Sequence, residues 1–341
     1  MSSIKRHPTR RRFLQASSAL PLLAAGGPAS AALREEGRAT ILAAARTLEP
    51  LRALIVACGG AEMVAERLRG PDLDQPVNVK SVSKSVLSAL VGIAIEQGVL
   101  EGVDQKVVPL LEGRVPVEAD PRILDITIGH LLTMRAGLER TSGRNYGSWV
   151  NSADWVRDAL VRPFVDEPGG RMLYSTGSYH LLSAALTAAS GRSTLELARS
   201  WLGAPLGIEI RPWTRDPQGI YLGGNNMALS PRAMLRFGET YRQGGTYAGR
   251  KVLPPAWIER SWTLYTRSRF TGHGYGYGWF IARAGRHPVF YAWGYGGQMI
   301  YVVPDLALTV VMTSEHPSSR TSHSRQLHRL LADTIIPAAE G

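Results

Sequence analysis

The stretch Ser81-Val82-Ser83-Lys84-Ser85-Val86-Leu87-Ser88-Ala89-Leu90-Val91-Gly92-Ile93-Ala94-Ile95 sets a serine and a lysine three residues apart at the head of an apolar run. Val82, Val86, Leu90 and Ile93 recur at helical spacing and Gly98 is a stop signal, so a buried helix opened by Ser81 is predicted. Residues i and i+3 share a helix face, which lets Lys84 lean over Ser81 and take its proton. A serine hydroxyl is a poor nucleophile until a base activates it, and a Ser-Lys pair is one known solution. The competing reading is a serine N-cap followed by a solvated lysine.

The pattern is short, and Ser2-Ser3-Ile4-Lys5 repeats it in a segment that cannot be catalytic. Scarcity separates the two. Of 39 Lys+Arg only Lys5, Lys80, Lys84, Lys106 and Lys251 are lysines. Arginine stays protonated and cannot serve as a base, so a lysine at 84 in an arginine-using chain is informative.

Working outward, Thr9-Arg10-Arg11-Arg12-Phe13-Leu14-Gln15, the apolar Ala16 to Ala25 and the small-residue site Ala29-Ser30-Ala31 have the layout of a twin-arginine export signal. The apolar part is shorter than the roughly 20 residues of a membrane span. Residues 1–31 are therefore expected to be cleaved from a periplasmic or secreted protein with no stable membrane span. Their loss removes five basic residues and no acid, taking the net charge from +11 to +6. The remaining arginines are scattered, which argues against nucleic acid as a partner. Cys58 is the single cysteine, so no intrachain disulfide or cysteine metal site is possible; Leu54-Ile55-Val56-Ala57-Cys58 reads as a buried strand.

Strands are expected at 51–58 and 61–68, joined at Gly59-Gly60, after a helix over 35–48. Helices then dominate: 127–135, 152–161, 179–189, 195–202 and 231–242. After Pro254-Pro255, Tyr275, Tyr277 and Trp279 alternate with glycines, which in one strand would put all three rings on one face. Strands follow at 289–293, 299–303 and 306–313, then a helix over 322–334. The fold class is α/β (α+β): an antiparallel sheet built from both chain ends (about 32–104 and 255–341), flanked by helices, with a mostly helical middle lobe (about 105–254). Ser81 should lie between the lobes.

With these residues in place, the chain resembles the serine β-lactamase-like family of class C β-lactamases, DD-peptidases and related esterases and amidases, over roughly residues 35–335. Ile126-Thr127-Ile128-Gly129-His130-Leu131-Leu132-Thr133-Met134-Arg135-Ala136-Gly137-Leu138 is similar to a stretch common across that family. Its Leu-Leu-Thr-Met, with Gly-Gly-Gln at 296–298, is closest to the 6-aminohexanoate-dimer hydrolase-like subgroup. The resemblance implies a β-lactamase/transpeptidase-like fold. Tyr174-Ser175-Thr176 matches the family's Tyr-x-Asn, which implies that Tyr174 exchanges protons with the leaving group beside Lys84. Tyr295-Gly296-Gly297 occupies the place of its third motif, on a strand beside the serine. By the same resemblance, the backbone N–H groups of Ser81 and Gln298 form an oxyanion hole, and Thr176, Tyr295, Gly296 and Gly297 border the substrate.

Two departures bear on substrate. Thr176 replaces an asparagine that grips the substrate amide, and Tyr295 stands where the family has a cation that helps hold a penicillin carboxylate. Both favour esters or linear amides of small molecules over β-lactams. In the loop Thr141 to Trp149, Tyr146 and Trp149 are either substrate contacts or loop packing. For Lys84 to be neutral near pH 7 its pKa must drop about three units from ~10.4. No metal or organic cofactor is implied. Gly-x-Ser-x-Gly and clustered histidine ligands are absent, and His130 and His180 read as packed residues. The alternatives are a DD-peptidase or β-lactamase, or a silent binding protein that kept the fold.

Overall fold

A computed structural model describes residues 35–111, 113–315 and 322–341. The export-type segment and the Ser2–Lys5 repeat lie outside the described residues.

The apolar runs at the two ends of the chain meet in one antiparallel sheet. Its strands are β1 (Leu51–Cys58), β2 (Ala61–Arg67), β3 (Thr266–Arg267), β4 (Gly274–Tyr275), β5 (Phe280–Ala284), β6 (His287–Gly294), β7 (Gln298–Val303) and β8 (Leu308–Ser314). The spatial order is β2-β1-β8-β7-β6-β5-β4-β3. First and last strands pair directly, with Leu54 opposite Met312, Ile55 opposite Val311 and Val56 opposite Val310. β7 and β8 are buried along their whole length, and β1 everywhere except Arg52. Such uninterrupted burial needs cover on both faces. Helix α1 (Glu35–Arg46) packs with the C-terminal helical segment, while the amphipathic helix Pro231–Arg242 packs against β1, β7 and β8. Cys58 is a buried sheet residue.

The helix that carries Lys84 runs from Ser83 to Glu96 and is buried from Ser83 to Ala94. Gln97 caps it, and Gly98 follows at φ +70°. Its contacts include the middle-segment helix Thr176–Ser190 and β6.

Several boundaries differ from expectation for local reasons. The helix expected over 127–135 spans only Ile128–Leu132, because Met134 adopts φ +61° and turns the chain. The helix expected from Tyr179 begins at Thr176, and that expected over 152–161 is cut to Trp155–Leu160, capped by the Asp154 carboxylate. The helical run over 195–202 starts at Thr194 and relaxes into a π turn at Arg199–Gly203. The last strand starts at Leu308, after a 3-10 turn at Pro304–Leu306, and the C-terminal helical segment continues to Glu340.

The aromatic alternation is not one strand. Gly276 N–H donates to the Trp279 carbonyl at 2.9 Å and Gly278 adopts φ +79°, so a tight turn separates β4 from β5. The rings go to different places: Tyr275 onto Phe280, Tyr277 onto Trp257 and Tyr265, Trp279 onto Tyr241 and Phe237. Period-two spacing with glycine at every second position fits a turn as well as a strand.

Candidate active site

Ser81 sits in a 3-10 turn, Lys80–Val82, immediately ahead of the α-helix rather than inside it. Lys80 holds φ +51°, a left-handed conformation that a side-chain-bearing residue rarely adopts. The turn is pinned by its own neighbours. Lys80 N–H donates to Asn78 Oδ1 at 2.9 Å, Ser83 Oγ donates to the Lys80 carbonyl at 2.6 Å, and Met227 N–H donates to Ser83 Oγ at 3.1 Å.

Lys84 is 1% exposed. Its Nζ lies 3.1 Å from Ser81 Oγ, 3.4 Å from Thr176 Oγ1 and 2.5 Å from the Gly224 carbonyl oxygen. Burial penalises the ammonium form and lowers its pKa to about 7. A neutral amine has two N–H donors and one lone pair. The Gly224 carbonyl can only accept, so it takes one N–H; Thr176 Oγ1 is placed for the second. The lone pair is then directed at the Ser81 hydroxyl.

The Tyr174 ring centroid is 5.0 Å from Lys84 Nζ. Burial pushes the Tyr174 phenol up to about 12, and the Ser81 hydroxyl pulls the other way. Its phenol therefore stays protonated at neutral pH and can hand a proton on, while Lys84 is the group able to accept one. The stretch Leu132–Ala136 supports this corner. Tyr179 OH donates to the Leu132 carbonyl at 2.9 Å, Leu173 N–H donates to the Met134 carbonyl at 2.8 Å, and Ser175 N–H points at Met134 Sδ at 3.3 Å.

Tyr295-Gly296-Gly297 forms the turn between β6 and β7, not a strand. Gly296 and Gly297 hold φ +83° and +98°. Gly294 brings this hairpin against the serine turn: a Cβ there would stand 2.3 Å from the Val79 carbonyl oxygen. Gln298 is buried and its side chain is committed away from the serine, with Nε2 donating to the Ser314 carbonyl at 2.6 Å. Any contact of Gln298 with substrate is therefore a main-chain one. Behind it, Ser314 Oγ lies 2.9 Å from Nε2 of the buried His323.

The other expected contacts divide. Thr176 is 4% exposed and its hydroxyl is taken by Ser142 Oγ at 2.9 Å and by Lys84, so it holds the Lys84 amine rather than facing open space. The expected loop is in part helical, a 3-10 turn at Gly143–Asn145 leading into a helix at Tyr146–Val150, and Trp149 is fully buried there, packed on Trp155 with Nε1 donating to the Trp155 carbonyl at 2.9 Å; of the two readings, packing is the one that holds. Tyr146 accepts a hydrogen bond from Asn225 Nδ2 at 3.0 Å, which places it beside Gly224. His180 is buried and bonded to Asp216 at 3.0 Å, and His130 completes the cap of its own helix. Gly224 and Ser142 are contacts of this site that sequence pattern does not reveal: nothing local in Gly223-Gly224-Asn225-Asn226 says that its carbonyl reaches residue 84.

The Beta-lactamase family model matches residues 53–333. Among solved structures, the fold is shared with EstCE1, a hydrolase with promiscuous acyltransferase activity (18% identity, 90% of this chain and 99% of that one, TM-score 0.73). It is also shared with a Bacillus anthracis protein assigned as a 6-aminohexanoate-dimer hydrolase (18% identity, 85% and 79%, TM-score 0.69). A curated relative, the Dichelobacter nodosus fimbrial assembly protein FimD of serogroup H1, is 34% identical over 125 residues. That match spans 36% of this chain and under a third, 31%, of the relative. With the match extending from β1 to the C-terminal helical segment, the chain belongs to the Beta-lactamase family.

Proposed function

We propose that this chain is a serine hydrolase that cleaves esters or linear amides of small molecules through an acyl-enzyme on Ser81. The observation that carries the reading is the buried Lys84 amine, 3.1 Å from Ser81 Oγ and lowered to about 7. Ser81 Oγ attacks the carbonyl carbon as its proton passes to Lys84 Nζ. The tetrahedral oxyanion is received by the backbone N–H groups of Ser81 and Gln298. Collapse expels the alkoxide or amine, which is protonated by Tyr174, itself reprotonated from Lys84. A water then gives its proton to the same pair and attacks the acyl-enzyme carbonyl; as the C–Oγ bond breaks, the pair returns that proton to Ser81 Oγ, releasing the acid and restoring the neutral amine.

Thr176 and Tyr295 set the preference. A threonine hydroxyl already bound to Ser142 has no amide to grip a β-lactam side chain, and Tyr295 supplies no cation at the third motif. The test treats the mature protein with a fluorophosphonate, a nitrophenyl ester and a chromogenic cephalosporin. The expected result is one mass adduct on Ser81 and ester turnover lost in Ser81→Ala. Absence of both would end the hydrolase reading, and fast cephalosporin turnover would reverse the substrate preference.

Residues 1–31 act in this proposal as a twin-arginine-type signal, and the enzyme works in the periplasm or outside the cell. The sequence Arg10-Arg11-Arg12-Phe13-Leu14 and the Ala29-Ser30-Ala31 site support it. Replacing all three arginines by lysine should retain the precursor in the cytoplasm; unaltered export refutes it.

A further inference from the structure

Beside the serine turn, and not including Ser81, lies a cavity of about 530 Å³ whose walls include Arg52, Lys80, Tyr295, Gln298, Ser314 and Glu315. Small-molecule pockets run from about 300 to 1,000 Å³, so it has room for a substrate limb. Its position is telling. Lys80 precedes the nucleophile, while Tyr295 and Gln298 flank the third-motif turn. Lys80, Tyr295 and Gln298 thus belong both to the cavity wall and to the segments next to Ser81, and this shared border is what would let one limb of a carbonyl compound at Ser81 reach the cavity.

Charge in this cavity is unbalanced. Arg52 and Glu315 form an ion pair with each other. Lys80 is half-buried and has no ion pair among the described residues. The other described lysines are all spoken for: Lys106 pairs with Asp125 at 3.1 Å, Lys251 with Glu96 at 2.5 Å, and Lys84 is buried at the serine. Lys80 also occupies a left-handed backbone position, φ +51°, that is strained for a side-chain-bearing residue. Its N–H and C=O are both used to shape the turn, and any residue could supply those two groups. A strained site held by the one unpaired described lysine points to a use for the ammonium.

Resting on the hydrolase reading above, we propose that the cavity receives a carboxylate on the substrate, remote from the scissile bond, with the Lys80 ammonium as its counter-charge. The preferred substrates are then small half-esters or half-amides of dicarboxylic acids, or compounds of similar length with a terminal carboxylate.

Two measurements on the mature protein test this. The first is the ratio of kcat/KM for mono-p-nitrophenyl glutarate over p-nitrophenyl valerate, which differ mainly in the terminal carboxylate. The ratio should exceed about ten at low salt, fall about tenfold in Lys80→Met and persist in Lys80→Arg, the size expected of a charge-assisted contact. A ratio near one in the wild type, or an unchanged ratio in Lys80→Met, overturns the proposal. The second is calorimetric binding of glutarate to Ser81→Ala, which needs no turnover. Binding that disappears in the Ser81→Ala, Lys80→Met double variant supports the site; absent or equal binding refutes it. Glutarate binding through Lys80 without any ester turnover would retain the cavity assignment and remove the hydrolase reading, whereas turnover without carboxylate preference does the reverse.

Discussion

The carbonyl oxygen of Gly224 lies 2.5 Å from Nζ of Lys84, although 140 residues separate them in the chain. This contact orients the amine, because a carbonyl has no proton to give and fixes one N–H in place. A Cβ at position 224 would stand 3.1 Å from Nζ and 3.0 Å from Tyr179 Cβ. Gly224→Ala should therefore displace the base and cut kcat about 10–100-fold, as small misplacements of reacting groups do. At the adjacent Gly223 a Cβ would meet the Tyr179 carbonyl oxygen at 2.0 Å. Gly223→Ala should act on stability instead, by about 1–3 kcal/mol. Steady-state assays beside thermal unfolding separate the two; equal effects on both readouts would contradict the division.

Ester hydrolysis should rise with pH through about 7, as burial-lowered Lys84 loses its proton and can accept that of Ser81. Lys84→Arg should be inactive across the range, because a guanidinium stays protonated. A flat kcat/KM profile between pH 6 and 9 would remove Lys84 from the role of base.

The same burial has a cost in stability with a defined sign. Lys84 has an ordinary pKa of 10.5 when unfolded and about 7 when folded. Between those values the unfolded chain holds a proton that the folded chain does not. Stability relative to Lys84→Met should thus decline as pH falls from about 10.5 to about 7, by a total near 5 kcal/mol, then stay level below 7. Urea unfolding of both proteins at several pH values reads this directly; a difference independent of pH would show that Lys84 keeps its charge on folding.

Thr176 offers a cleaner probe of the base's second partner. Thr176→Val keeps the shape but removes the hydroxyl that meets Lys84 at 3.4 Å and Ser142 at 2.9 Å. It removes one hydrogen bond of the half-buried Ser142, whose Oγ still accepts from Thr176 N–H at 2.9 Å, a loss of about 0.5–1.5 kcal/mol, and should lower kcat more than it raises KM. Thr176→Ser should restore both. If Val and Ser behave alike, the hydroxyl has no part in holding Lys84.

Much of the frame could be read from local pattern. The Ser81–Lys84 spacing, the apolar face behind it and the strand runs at both ends follow rules that act within a few residues. Pro231–Arg242 was legible to the residue, because Ser230 caps it, Pro231 starts it and glycines end it. What escaped depends on long-range geometry. Met134 ends a helix early by a backbone angle that side-chain pattern does not encode. Gly224 and Ser142 act through contacts that only the assembled fold creates. Trp149 is ambiguous because a tryptophan in a polar, glycine-containing stretch gives the same sequence signal whether it faces a ligand or, as in this short helix, a small core.

That small core has a wider meaning. Trp149, Trp155 and Leu222 form a buried cluster separate from the main one, with Tyr146, Val150 and Trp213 packed around it. The pair Tyr146–Asn225 hangs from this cluster beside Gly224, whereas Ser81 and Lys84 are held by the helix and sheet of the main core. The two foundations meet, however: Leu222 stands two residues from the Gly224 carbonyl that holds Lys84, and Trp149 and Trp155 pack edge-on against His180 of the helix that begins at Thr176. Drift in residues 146–155 and 213–222 that reshapes what enters therefore also nudges the amine, so taste and cutting power are tied to change together.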